Sequence, residues 1–255
     1  MRYTIDTEQK QLSVERGGTT EVLDLYSAEG FAALSRLWVT VGWSLKYSYQ
    51  FSWLGRPIIQ LPDDVVRLQE LVYQVQPDVI IETGVAHGGG QVLFASLCRL
   101  LGRGRVIGVE IEIRPDNRAA LEAHTLSPLI TLIEGSSIDP ATVERVRAHI
   151  GPGERVLAVL DSSHTKAHVL RELEAYAPLV TIDSYILVAD GVMEDLVEVP
   201  RAGAHWDQDN PKRAVAEFLA RHPEFVLDPP TRPFNESLVN AAVTYWPDGH
   251  LRRVR

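Results

Sequence analysis

The chain has 255 residues, of which 45% are hydrophobic and 23% are charged, as in an ordinary globular protein. Its formal charge of -9 opposes binding of a polyanion, so a nucleic-acid partner is not expected. The single cysteine, Cys98, excludes an intrachain disulfide and fits a reducing, cytoplasmic compartment, and no secretion signal or membrane-spanning run is expected.

Residues 1–62 are expected to form an N-terminal extension. Apolar residues at three- and four-residue steps predict an amphipathic helix from Ala28 to Leu45, which packs on the core or on a second subunit. The next segment, Tyr47 to Pro62, is aromatic and broken by glycine and prolines, which indicates an ordered loop. The loop is either a binding surface for a flat ligand or sugar, or a hydrophobic strap across the core. Its candidate acceptor-binding side chains are Tyr47, Tyr49, Phe51 and Trp53.

Residues 63–255 show alternating strand and helix patterns. A helix is predicted from Asp63 to Tyr73, because an aspartate at a helix start accepts free amide hydrogens. Five apolar runs follow, joined by helix-length connections, and this alternation predicts a doubly wound parallel sheet. The runs cover residues 79–82, 105–110, 130–134, 155–161 and 184–190.

The C-terminal part is expected to close the sheet. Apolar segments at 225–227 and 237–246 precede a turn at 247–249, which favours antiparallel strands. The expected fold is therefore α/β, a Rossmann-like, doubly wound, mostly parallel seven-stranded sheet with antiparallel C-terminal strands and an N-terminal helical extension. The chain is expected to be effectively a single domain.

The turn after the first predicted strand reads ETGVAHGGG and begins at Glu82. A phosphate-binding loop requires Lys and Ser or Thr where this chain has Gly90 and Gln91. A dinucleotide fingerprint requires GxGxxG, whereas three residues separate Gly84 from Gly88. The pattern acid-x-Gly-x-x-x-Gly-Gly resembles motif I of the class I S-adenosylmethionine-dependent methyltransferases. That resemblance implies that Glu82 faces the ammonium group of the donor.

Glu110 ends the second apolar run, twenty residues after Gly90, where its carboxylate can accept both hydroxyls of a ribose. Such a carboxylate serves a nicotinamide dinucleotide equally well, so a nicotinamide-dependent sugar oxidoreductase stays open as an alternative. His87, inside the glycine turn, either lines the donor site or fills the turn.

Asp161 and Asp190 end the fourth and fifth apolar runs, so they are expected to meet at the carboxyl edge of the sheet. Two adjacent carboxylates repel unless a proton or a cation lies between them, and Mg²⁺ favours oxygen ligands. The alternative is two separate capping aspartates. His164 follows Asp161 by three residues, and a neutral imidazole is suited to removing a proton near pH 7.

Longer segments together resemble the cephalosporin hydroxylase-like family, which includes rhamnosyl O-methyltransferases. They lie between about Tyr47 and Leu219 and include PDVIIETGVAHGGG, VIGVEIEIR, EGSSID, LDSSHT and SYILVAD. The resemblance implies a class I methyltransferase domain at 63–255 that uses S-adenosylmethionine and usually Mg²⁺. Its acceptor is expected to be a sugar hydroxyl, such as that of rhamnose on a natural product or glycoconjugate, and the protein is expected to be a homo-oligomer.

By position, the resemblance implies roles for individual residues. Asp161 and Asp190 correspond to metal ligands, and His164 and Asp161 to catalytic residues, with His164 as the base that deprotonates the acceptor. A catalytically silent donor-binding protein is the remaining alternative. The residues implied in donor binding are Glu82, Gly84, His87, Gly88, Gly89, Glu110, Ser136, Ser137 and Asp161.

One departure from the family pattern concerns the metal. Relatives carry Glu-Asp where this chain has Ala189 followed by Asp190, and the more distant catechol O-methyltransferases carry Asp-Asn where it has Asp190 and Gly191. A third protein ligand is therefore missing from the sequence pattern. The expected outcomes are that Glu194, Asp195 or an extra water molecule substitutes for it, or that the metal binds weakly.

Overall fold

The computed structural model describes residues 1–231, 234, 236–239 and 241–255. A seven-stranded sheet forms its main body, and a small three-stranded sheet and a helix precede it. No helix within the described ranges has the length and apolar character needed to cross a membrane.

The N-terminal segment forms an antiparallel meander of β1 (Arg2–Asp6), β2 (Gln11–Arg16) and β3 (Thr19–Asp24). These strands were not predicted from the sequence. Polar and apolar residues do alternate in β1, with Tyr3 and Ile5, and in β2, with Leu12 and Val14, but Leu12 is the only buried residue of the three strands. Helix α1 (Ala28–Ser44) follows where a helix was predicted. The hydroxyl of Ser27 accepts a hydrogen bond from the Gly30 amide and caps its start.

The aromatic segment contains a short hairpin and not only a loop. Strands β4 (Phe51–Trp53) and β5 (Arg56–Ile58) pair antiparallel after a 3₁₀ turn at Tyr47–Gln50. The two connecting residues, Leu54 and Gly55, both have positive φ, which is the requirement of a type I′ hairpin turn. The sequence prediction of an irregular loop was wrong here because leucine is an unusual first residue for that turn.

The remaining elements alternate as predicted. Each of the five predicted parallel strands forms within two residues of its expected bounds at either end. The elements are α2 (Pro62–Val75), β6 (Val79–Thr83), α3 (Gly89–Leu101), β7 (Arg105–Glu110), α4 (Pro115–Glu122), β8 (Ile130–Glu134), α5 (Pro140–Arg147), β9 (Val156–Leu160), α6 (Lys166–Tyr176), β10 (Tyr185–Val188), α7 (Pro211–Arg221), β11 (Phe225–Leu227) and β12 (His250–Arg253).

The large sheet has the order β8-β7-β6-β9-β10-β12-β11. Strand β12 runs antiparallel to both of its neighbours, and the other pairs are parallel. This arrangement confirms the predicted fold class. The strand expected at 237–246 was wrong over the described part of that segment, and Asn240 lies outside the described residues.

The sheet carries a hydrophobic cluster on each face. Along β6, Val79 and Ile81 belong to one cluster and Ile80 belongs to the other, because successive strand residues point to opposite faces. From β6 the chain adds β7 and β8 on one side, and it then crosses to the other side of β6 to add β9 and β10, so the strand order reverses between β6 and β9. A crevice at such a reversal point, outside the carboxyl ends of the strands, is where open α/β sheets bind ligands.

Candidate active site

A cavity of about 340 Å³ lies at the carboxyl ends of the central strands. Four strands, β6, β7, β9 and β10, each contribute one carboxylate to its lining near the strand end. These side chains are Glu82, Glu110, Asp161 and Asp190. From the sequence, the two aspartates were expected to meet, and the two glutamates were assigned to the donor site.

Gly84 lies where the backbones of β6 and β9 come closest. Its φ is +92°, and a Cβ at this position would overlap the carbonyl oxygen of Asp161. The Gly84 amide donates to Val109 O at 2.8 Å, and the Asp161 amide donates to Thr83 O at 3.0 Å. Only glycine fits this close approach, so the turn is held against both neighbouring strands and lines the cavity with backbone.

Glu82 is a buried carboxyl group in the cavity wall, with 4% of its surface exposed. Burial raises its pKa to about 8, although a hydrogen bond from the Gln91 amide favours the charged form. A Cβ on Gly90 would overlap the Glu82 carboxylate, which explains a glycine there. Glu82 is therefore mostly uncharged near neutral pH, and a cation entering the cavity would favour its ionisation.

Glu110 shapes the glycine turn. Its Oε2 accepts hydrogen bonds from the amides of Val85 at 3.0 Å and Ala86 at 3.2 Å, and its Oε1 accepts from the Ile111 amide at 3.0 Å. Ala86 has a positive φ of 45°. Glu110 thus stabilises an uncommon backbone conformation, while its carboxylate oxygens keep further acceptor capacity.

Asp161, His164 and Asp190 form a compact cluster. Each offers one ligand atom, and these three atoms all lie within 4.8 Å of one another. His164 Nε2 lies 3.3 Å from Asp190 Oδ2. Burial raises the pKa of Asp161 well above its usual range, and the neighbouring carboxyl groups of Asp190 and Glu82 add to this effect. Two carboxylates and an imidazole at this spacing can hold a proton or a divalent cation.

The structure brings neither of the two expected acidic substitutes into this cluster. Glu194 instead pairs with Lys212 and Arg213 of α7, each at 2.8 Å, and Asp195 is exposed. His164 is the third group that joins the two aspartates. From the sequence, His164 was expected to face the same cleft, as a base and not as a third ligand.

Of the four aromatic acceptor candidates, Tyr49 lines the cavity. Tyr47 packs its ring edge-on against Trp38 and Phe51, and the indole of Trp53 donates to Ser96 Oγ at 3.0 Å. The segment therefore acts partly as a strap on the core and partly as a cavity wall.

The remaining donor-site candidates divide in the same way. His87 and Gly89 line the cavity, and Arg56 donates to the His87 carbonyl. Gly88, Ser136 and Ser137 lie outside the described lining. The hydroxyl of Ser137 instead contacts His168 Nε2 at 3.2 Å.

Several lining residues escaped the sequence prediction. Gln60 donates its side-chain amide to Asp161 Oδ2 at 2.9 Å, and its position at the end of the aromatic segment was the only signal. Tyr245 is buried, and its amide donates to Asp64 Oδ2 at 2.9 Å. Trp43 and Arg201 come from α1 and from the segment before α7, and only the tertiary fold brings them to the cavity.

Comparison with known proteins places these features in a family context. The family model described as Rhamnosyl O-methyltransferase/CmcI matches residues 45–254. A rhamnosyl O-methyltransferase of Mycobacterium leprae (strain TN) is 31% identical over 156 residues, covering 60% of this chain and 66% of that protein. One of Mycobacterium bovis (strain BCG / Pasteur 1173P2) is 34% identical over 131 residues, covering 50% of this chain and 51% of that protein. The aligned part of the chain thus spans between half and two thirds of these curated relatives.

A solved structure named "cmcI-D160 Mg-SAM" has a similar fold. It superposes with a TM-score of 0.55 at 20% sequence identity, covering 81% of this chain and 78% of that chain. At this level of identity the likeness concerns the fold, which agrees with the sheet order described above.

Proposed function

The chain belongs to the Rhamnosyl O-methyltransferase/CmcI family, and we propose that it is an S-adenosylmethionine-dependent O-methyltransferase that acts on a sugar hydroxyl. One observation carries the proposal: the Asp161, His164 and Asp190 cluster shares a cavity with the glycine turn. Methyl transfer to oxygen requires a donor site next to a group that accepts the hydroxyl proton. This cavity also lies where the strand order reverses, which is where open α/β sheets bind ligands.

The donor side of the cavity fits a positively charged, phosphate-free nucleoside. The turn offers closely packed backbone without a lysine, and Glu82 offers a buried carboxyl group that a cationic ligand would ionise. Bound there, S-adenosylmethionine would supply a methyl group on a sulfonium centre. Glu82 would pair with the ammonium group of the donor, and the Glu110 carboxylate would accept ribose hydroxyls with its remaining capacity.

The acceptor side fits a divalent cation. Asp161 and Asp190 offer oxygen atoms for the ion, and the His164 nitrogen, within the same 4.8 Å, would stay outside the ligand set. The structure named "cmcI-D160 Mg-SAM" supports Mg²⁺ as the first ion to test. A divalent cation held there would act as a Lewis acid that lowers the pKa of a bound hydroxyl.

His164 is the proposed base. The hydroxyl proton would move to its Nε2, and the Asp190 carboxylate, 3.3 Å away, would stabilise the imidazolium that forms. Gln60 would hold Asp161 in place through its amide. The buried cavity floor would keep the reacting groups oriented, which supplies much of the rate of group transfer.

The first test replaces Asp161 by asparagine, which keeps the shape of the side chain but removes its charge. Asp161→Asn should lower methyl transfer from labelled S-adenosylmethionine to a panel of glycosides by ~10²-fold or more. Affinity for S-adenosylhomocysteine, measured by calorimetry, should stay close to that of the wild type. The matched control is Asp195→Asn, at an exposed aspartate outside the cluster. Tight binding of NAD in place of S-adenosylhomocysteine would favour an oxidoreductase and overturn the proposal.

A second test concerns the base. His164→Gln should slow the chemical step in single-turnover experiments by ~10²-fold, because no other imidazole faces Asp190 among the described lining residues. Donor binding should be preserved. An unchanged single-turnover rate would remove His164 from the proton transfer.

A further inference from the structure

The charges that line the cavity are unevenly distributed. Four carboxylates line it at the strand ends, and Arg201 is the only lysine or arginine among the described lining residues. The whole chain carries a formal charge of -9. A positively charged guanidinium beside four carboxylates, in an acidic protein, therefore requires an explanation.

The guanidinium of the exposed residue Arg201 contacts one aromatic ring of the cavity wall. It lies over the Trp43 ring at 5.3 Å from the centroid, within the range of a cation–π contact. Trp43 in turn meets Trp206 edge-on, with ring centroids 5.1 Å apart. The backbone of Arg201 adopts a positive φ of 74°, which is uncommon for a residue with a long side chain. Trp43 also lines the cavity, so the cation is fixed at its wall.

A second cation repeats this arrangement nearby. The ammonium of Lys46 lies over the Tyr49 ring at 5.0 Å, and Tyr49 also lines the cavity. Lys46 too has a positive φ, of 57°. We call Trp43, Lys46, Tyr49 and Arg201 the cationic rim. Two aromatic lining residues thus each contact a cation.

Neither rim cation has an acidic partner in the part of the chain that the structure describes. Arg201 and Lys46 form no ion pair there, whereas Lys212 and Arg213 of α7 share Glu194. A guanidinium can bind carboxylate or phosphate with two parallel hydrogen bonds, and a ring face leaves those donors free at its edge. The rim therefore offers unused donors for an anion.

We propose that the cationic rim binds an anionic substituent of the acceptor, so that the substrate is a sugar acid or a sugar phosphate. The proposal rests on the proposed function and adds the charge of the substrate to it. The carboxylate cluster would repel the anionic end of such a molecule, and Arg201 would attract it. The opposite end, with its hydroxyl, would then face Asp161 and His164, while Trp43 and Tyr49 would pack against the sugar ring.

The test measures binding and not turnover. Wild-type protein saturated with S-adenosylhomocysteine is titrated in a calorimeter with methyl β-D-glucuronide, glucose 1-phosphate and neutral methyl β-D-glucoside. At least one anionic probe should bind about tenfold or more tightly than the neutral one, and the difference should shrink at high salt. The stronger of the two anionic probes identifies carboxylate or phosphate as the preferred group.

Two variants assign the effect to the rim. Arg201→Gln should remove most of the preference for the anionic probe and leave the neutral probe unaffected, and Lys46→Gln should reduce it by a smaller factor. Arg171→Gln, at an exposed arginine of α6 outside the cavity, is the matched control. Because both rim side chains are long and charged and form no ion pair among the described residues, the variants should fold normally, which circular dichroism checks.

The proposal is overturned if the neutral glycoside binds as well as both anionic probes, or if no anionic probe binds at its solubility limit. It is also overturned if Arg201→Gln weakens S-adenosylhomocysteine binding and leaves the glycoside preference intact, because Arg201 would then hold the carboxylate of the donor. Failure of the proposed function gives a different result, namely wild-type protein that does not bind S-adenosylhomocysteine.

Discussion

Glu82 shows how one buried residue can link ligand binding to stability. Its carboxyl group has 4% exposure and a pKa raised from 4.5 to about 8 by burial. Between these two pH values the unfolded chain ionises Glu82 while the folded chain keeps it neutral. The stabilising contribution of the neutral group is therefore complete below about pH 4.5 and is lost as the pH rises to about 8.

Glu82→Gln should remove this loss, since an amide of the same size does not titrate. Without ligand, the variant should gain stability relative to the wild type as the pH rises from about 5 to 8, by on the order of 2–4 kcal/mol, because one pKa unit corresponds to about 1.4 kcal/mol. Urea denaturation at the two pH values measures the difference. Glu112→Gln, at an exposed glutamate two residues after β7, is the control and should show no such trend.

The same variant should bind S-adenosylmethionine more weakly, because it offers no charge to the ammonium group. A Glu82→Gln variant that gains no stability at higher pH would show that Glu82 is ionised in the unliganded protein. Gln91 would then provide more stabilisation of the charged form than its single hydrogen bond indicates.

At the scale of elements, the start of α2 connects two walls of the cavity. Gln60, just before the helix, donates to Asp161, which follows β9. Asp64, in its first turn, accepts hydrogen bonds from the Thr244 hydroxyl and the Tyr245 amide. Burial raises the pKa of Asp64 to about 7. The helix start therefore fixes a segment close to the C-terminal strand that has no regular structure of its own in the described residues.

Asp64→Ala should destabilise the protein by about 2–4 kcal/mol, because it leaves the buried Tyr245 amide without a partner. Asp63→Ala is the matched control, since Asp63 is the exposed neighbour in the same helical turn and should cost less than about 1 kcal/mol. Urea denaturation below pH 7, where Asp64 is mostly protonated, compares the two. Equal losses for both variants would show that the contact with Tyr245 contributes little.

At the scale of the whole molecule, the sequence was most informative where burial was complete. The run at 79–82 reads as a central strand because every residue of β6 is buried, and the same holds for β9. The positions of Asp161 and Asp190 at one edge follow from the direction of parallel strands alone.

Two parts of the fold were missed or wrongly predicted. The N-terminal meander buries only Leu12, and the short alternation of apolar residues in β1 and β2 was overlooked in a segment that is polar overall. Tyr245 and Trp246 are buried in the hydrophobic cluster on one face of the large sheet. The segment that carries them is bound by Asp64 and does not form a strand. Sequence patterns report burial better than they report pairing.

The site residues that prediction missed come from tertiary packing. Gln60 and Arg201 lie 141 positions apart and face one cavity, and no local spacing relates them. The expected homo-oligomer stays a prediction. Trp38 of α1 is 42% exposed and Leu45, the residue after the helix, is 76% exposed. Apolar surface is therefore left on the segment that was expected to meet the core or a second subunit.

The position of β12 has a consequence for biosynthesis. Strand β11 pairs only with β12 among the described strands, and β12 lies between β10 and β11 although it follows both in sequence. A ribosome-bound chain that ends before residue 250 therefore exposes the free edge of β10, with β11 unattached. A nascent chain would keep this open edge until β12 emerges from the exit tunnel, and a chaperone that covers strand edges could act during that interval.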